Sequence, residues 1–166
     1  TTYSSKEQTA LYSNYLLERT TCTALCKTYS ELYDLNQEFD AFVCGSDQIW
    51  SPLCYDSKYF LDFVENTDKM VAYAPSIGST KIDDPIIREK MAQHISRFKH
   101  LAVREQQGAN LIKELTGQDA EIVLDPTLLM NVAEWNEFAG VDEVQKIDGK
   151  YILCYFLGEA GKYMSC

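Results

Sequence analysis

From residue 40 onward the chain alternates between two kinds of apolar spacing. Short continuous apolar runs occupy residues 41–44, 69–74, 101–103, 122–124 and 151–157, each the length of a strand. A further piece at 59–63 fits a strand or part of a loop. Continuous apolarity, rather than alternation with polar residues, is the pattern of strands covered on both faces. Between the runs, apolar residues recur every three or four positions. Asp84 can cap a helix that Pro85 opens, and Ile87, Met91, Ile95 and Phe98 make one apolar stripe. That stripe leaves Arg88, Glu89, Gln93 and Arg97 to water. A second helix over 106–115 turns Leu111, Ile112 and Leu115 inward and stops at Gly117, and a shorter one fits 133–139. Strand and helix in alternation predict an α/β fold with a parallel sheet.

The flanks are less patterned. Residues 11–35 show helix-like spacing at Leu11, Tyr15, Leu16, Cys22, Leu25 and Tyr29 but no clear caps, so 1–39 reads as a helical segment. The polar run GVDEVQKIDG closes on Asp-Gly and reads as a surface connection. The expected division is therefore a helical segment over 1–39, the sheet domain over 40–140, and over 141–166 a connection with the start of a second domain.

Composition narrows the function. With 166 residues, 46% of them hydrophobic, one packed domain is the default. A formal charge of −10 and the lack of a Lys/Arg-rich run argue against a nucleic-acid partner. No apolar stretch approaches the roughly 18–20 residues of a membrane span, and the opening residues carry no signal-peptide pattern. The six cysteines include no C-x-x-C pair, and Cys44 and Cys154 sit inside apolar runs. A reduced, cytoplasmic protein without a bound metal is the expectation.

The polar residues that end the runs carry the candidate chemistry. The endings are VCGSDQ, AYAPSIG, AVREQQG and VLDPT. In an open parallel sheet all carboxyl ends share one edge, and ligands bind just outside it. Gly45, Ser46, Asp47, Gln48, Ser76, Gly78, Arg104, Glu105, Asp125 and Thr127 are therefore expected to line one cleft. Each also has a plainer reading: Ser46 and Asp47 as turn caps, Asp125-Pro126 as a turn, Gly78 as a source of backbone freedom. Arg104 follows an apolar strand directly, so it must meet an anion or reach solvent. That anion is a ligand, or a carboxylate such as Glu105, Asp47 or Asp125. His94 and His100 read as surface or helix-end residues, and no G-x-G-x-x-G or phosphate-loop lysine is present.

In order, DAFVCGSDQIWSP, YFLDF, KMVAYAPSIGS, HLAVREQQGANLI and IVLDPTLLM with the following Trp135 resemble the polysaccharide pyruvyl transferase family. The match spans about Asp40 to Trp135. The resemblance implies Rossmann-like domains in a glycosyltransferase-B-like pair, of which this chain resembles most of the first. It implies an enzyme that transfers the enolpyruvyl group of phosphoenolpyruvate to a saccharide as a pyruvate ketal, with no further cofactor. The polymer would be an exopolysaccharide or a cell-wall polymer. A catalytic histidine is expected in a second domain that no residue here matches, which would leave these residues inactive alone. Arg104, in the Val-Arg-Glu motif, is the donor-binding position that carries over. The alternatives are a flavodoxin-like ligand-binding module and a non-catalytic relative that kept the fold.

Overall fold

The structure, a computed structural model, describes residues 9–10, 13–14, 17–18, 20–139 and 149–152. It divides into two compact units, 1–126 and 127–166. In the first, strands β1 Phe42–Cys44, β2 Met70–Tyr73, β3 His100–Val103 and β4 Glu121–Ile122 form one parallel sheet in the order β1-β2-β3-β4. This is the α/β arrangement the alternation predicts, and it is consistent with a Rossmann-like domain.

The register pairs Phe42 with Met70, Cys44 with Ala72, and Ala72 with Leu101. Because side chains alternate along a strand, these residues share one face, and all of them are buried. Two helices close that face. In α2, Pro85–Ile95, the Asp84 carboxylate accepts from the N–H groups of Ile86 and Ile87, as its place before Pro85 predicts, and Met91 and Ile95 are buried. Its predecessor α1, Tyr29–Asp34, is held by a capping box between Thr28 and Glu31. In α3, Gln106–Thr116, Leu111 and Ile112 are buried, and Gly117 ends the helix at φ 75° with its N–H on the Lys113 carbonyl.

Both long helices belong to the same hydrophobic cluster as the strands. Among the described residues the opposite sheet face is half-buried at Val71, Tyr73 and Ala102, and Val43 is 63% exposed. Among the described residues the two long helices thus cover one of the two faces. The reason is topological: when successive strands are added in one direction by crossovers of one hand, successive helices fall on the same side.

The β1–β2 connection is long and carries no α-helix. Three 3-10 turns, Pro52–Cys54, Ser57–Phe60 and Thr67–Lys69, wind it around Trp50, which is fully buried. The indole stacks on Phe60 at 5.1 Å, meets Phe98 edge-on at 5.4 Å, and donates Nε1–H to the Tyr59 carbonyl at 3.0 Å. Residues 59–63 are therefore turn, not strand. Arg97 corrects another expectation: instead of facing water, its guanidinium donates to the carbonyls of Leu61 (3.4 Å), Asp62 (3.2 Å) and Val64. His94 is also drawn inward, half-buried beside the rings of Phe60 and Tyr55.

In the first forty residues, helix is present at 9–10, 13–14, 17–18 and 29–34, as the spacing predicts, and absent over 21–27, where the spacing also predicted it. The second unit contains α4, Val132–Ala139. Asn131 Oδ1 accepts from the N–H groups of Ala133 and Glu134, and Glu134 Oε2 accepts from Asn131 N–H. Residues 151–152 carry no strand, and 153–157, with Cys154 and Cys166, lie outside the described residues. No described helix is long and apolar enough to cross a membrane.

Candidate functional site

The strand endings of the first unit meet. After β1 the chain turns at Gly45, where φ is 141° and a Cβ would stand 1.8 Å from the Tyr73 carbonyl oxygen, so a side chain is excluded. The Gly45–Ser46 peptide is cis. After β2, Ala74 takes φ 58°, in the left-handed region, and turns Pro75 and Ser76 toward the first loop. Ser76 then binds that loop twice through its backbone: its N–H donates to the Asp47 carbonyl (2.9 Å) and its carbonyl accepts from Trp50 N–H (3.2 Å). The Asp47 carboxylate accepts from Gln48 N–H at 2.7 Å, which is the turn-capping part of its expected role.

Arg104 joins the endings of β1, β3 and β4. Its Nε donates to Glu105 Oε1 at 2.9 Å, and Nη1 donates to the Ser46 carbonyl at 2.7 Å and to Asp125 Oδ2 at 2.9 Å. The three side chains remain partly open, with 25% of Arg104, 34% of Glu105 and 23% of Asp125 exposed. The bond to Glu105 first, and that to Asp125 after a smaller opposing effect of burial, raise the arginine pKa above its ordinary value. The group is a permanent cation between two carboxylates. Among the described residues the Nη2 hydrogens have no partner.

Beside this triad lies a cavity of about 460 Å³, lined by Gln48, Ser76 and Gly78 of the expected set. It is also lined by Ser79, Thr80, Glu105, Gln107 and Gly108, of which only Glu105 was suggested by the strand-end pattern. Gln107 and Gly108 enter because α3 begins directly after the β3 ending, so its first turn sits at the sheet edge. A glycine two residues into a helix is the signal that points there. Gly78, at φ 63°, lies against the Gln48 side chain. Ser76 is 1% exposed, and its Oγ has no hydrogen-bond partner among the described residues.

Thr127 belongs to the second unit, where its carbonyl accepts from Trp135 Nε1 at 3.1 Å. No group of three His, Cys, Asp or Glu side chains gathers to hold a metal ion among the described residues. Cys44 is buried and unpaired, and burial pushes its thiol up to about 12.

The family model described as polysaccharide pyruvyl transferase matches residues 4–165. It extends the resemblance of the 40–135 motifs across both flanks. No curated protein and no solved structure matches the chain. Strand endings joined through the Val-Arg-Glu motif and a family match over nearly the whole length lead to one assignment: the chain belongs to the polysaccharide pyruvyl transferase family.

Proposed function

We propose that the protein transfers the enolpyruvyl group of phosphoenolpyruvate to a saccharide as a pyruvate ketal, and that Arg104 contacts the donor. Family membership supports the transferase class. The observation that carries the donor role is the state of Arg104: fixed on two sides by Glu105, Asp125 and the Ser46 carbonyl, 25% exposed, with the Nη2 donors unused. A planar fork held in place at a sheet edge suits a carboxylate or phosphate oxygen.

The chemistry sets further demands. Phosphoenolpyruvate carries a carboxylate and a phosphate, whereas Arg104, Glu105 and Asp125 together carry a net charge of about −1 at neutral pH. Donor binding therefore requires cations beyond Arg104. Ketal formation also needs an acid to protonate the enol carbon, a hydrogen bond or base to steer the sugar hydroxyls, and charge stabilisation at the departing phosphate.

Steady-state kinetics with phosphoenolpyruvate and circular dichroism on the full-length enzyme test the reading. Arg104→Ala is expected to lose about 1.5–3 kcal/mol of donor binding or transition-state stabilisation, the range for a hydrogen bond to a charged group. Arg104→Lys should recover part of it, since lysine presents no planar fork. Unchanged kinetics in a folded Arg104→Ala variant would instead leave the arginine as a tie between the loops and Asp125.

A further inference from the structure

We infer that the cavity beside the Arg104 triad is the subsite for a neutral, hydroxyl-rich ligand, the saccharide acceptor; its role as acceptor site rests on the transferase reading, but saccharide binding itself does not. Four observations on the cavity agree. No lysine or arginine lines it, and Glu105 contributes a carboxylate, so a phosphate or carboxylate ligand would meet like charge. Its volume of about 460 Å³ lies in the range of small-molecule sites.

The wall offers donors and acceptors together, as sugar hydroxyls require. Gln48 and Gln107 carry side-chain amides, and Glu105 supplies acceptor oxygens. α3 begins at Glu105 without a side-chain cap, so the first-turn N–H groups of Gln107 and Gly108 have no acceptor within the helix or elsewhere among the described residues. Ser76 is the most telling residue: it lines the cavity, is 1% exposed, and carries a buried hydroxyl with no partner among the described residues. A buried hydroxyl without a hydrogen bond destabilises the fold, so it calls for a partner that the described residues do not supply.

Gly108 adds an independent argument. A Cβ there would meet only Glu105 Oε2 at 3.7 Å and Val103 at 3.8 Å, ordinary contacts, and alanine would favour the helix. Packing does not require glycine at this place. Gly108 lines the cavity, where the missing side chain leaves room for a ligand.

The experiment titrates the full chain with a panel of methyl glycosides of the common hexoses, and separately with inorganic phosphate, following backbone amides by NMR. At least one glycoside is expected to give saturable shifts at Gly78 and Gly108, and phosphate none. Ser76→Ala should weaken glycoside binding about three- to tenfold, the worth of one hydrogen bond, while the melting temperature holds or rises. Gly108→Ala should weaken binding with equal or greater stability. Absence of binding by every glycoside, phosphate shifts at the same amides, or unchanged affinity in both variants would overturn the inference. Glycoside binding without phosphoenolpyruvate turnover would remove the transferase reading and leave the subsite. Turnover by an enzyme whose Ser76→Ala and Gly108→Ala variants bind glycoside normally would do the reverse.

Discussion

Residues at the end of β1 show how one short motif serves three purposes. Within DAFVCGSDQIWSP, Cys44 packs in the core, Gly45 permits a backbone approach that any Cβ would block, and Trp50 anchors the following loop. Only Gln48 reaches the cavity wall, while Ser46 serves through its carbonyl. The thiol of Cys44 is protonated at neutral pH, because burial disfavours the thiolate and pushes its pKa up to about 12. Thiol reagents applied to the native protein should therefore modify the exposed Cys22 and Cys54 well before Cys44. Mass mapping of the labelled cysteines would detect a Cys44 adduct forming as fast as one on Cys54, and that result would contradict the burial argument.

At the scale of elements, the connection between β1 and β2 is held by side chains rather than by a helix. It relies on Trp50 inside and on Arg97, which reaches from beyond the end of α2 to three carbonyls of residues 61–64. Leu61 lies in the left-handed region at φ 53°, so this turn depends on tertiary bonds to keep its shape. Arg97→Ala is expected to cost about 1.5–3 kcal/mol of stability in urea denaturation, because partly buried carbonyls lose a charged donor. Arg97→Lys should restore less than half, since one ammonium cannot match a fork spanning separate carbonyls. Wild-type stability in Arg97→Ala would mean that the turn is held by packing alone.

For the molecule as a whole, pH dependence follows from His94. Burial beside Phe60 and Tyr55 is the main cause that lowers its pKa, with Arg97 and Lys90 adding to it and Asp62 opposing. In the unfolded chain an ordinary histidine titrates near 6.5. As pH falls below about 6.5, the unfolded state takes up a proton that the folded state resists, so stability declines toward acid. Thermal melts between pH 7 and 5.5 should show this slope in the wild type and a flatter one in His94→Phe, which keeps an aromatic ring at the stack. Parallel slopes in the two proteins would assign the pH dependence to other groups.

The sequence alone determined the order of the sheet strands and the helices between residues 40 and 139, because strands and helices announce themselves through local spacing and through caps such as Asp84 and Gly117. It also determined that polar residues end the strands, and in a parallel sheet that places Gly45, Ser46, Ser76, Arg104 and Asp125 at a common edge. What those residues touch was decided by tertiary structure. Composition left Arg104 with several possible anions, and the fold chose Glu105 and Asp125 by setting β4 next to β3. Spacing sent Arg97 to water, but the turn at 61–64 lies where it can reach. Nothing local distinguishes Ser76 from any other loop serine, because whether its hydroxyl finds a partner depends on what the fold brings beside it, and among the described residues there is none. The face on which the two long helices fall has the same origin: it depends on the direction in which strands are added, which a one-dimensional pattern does not record.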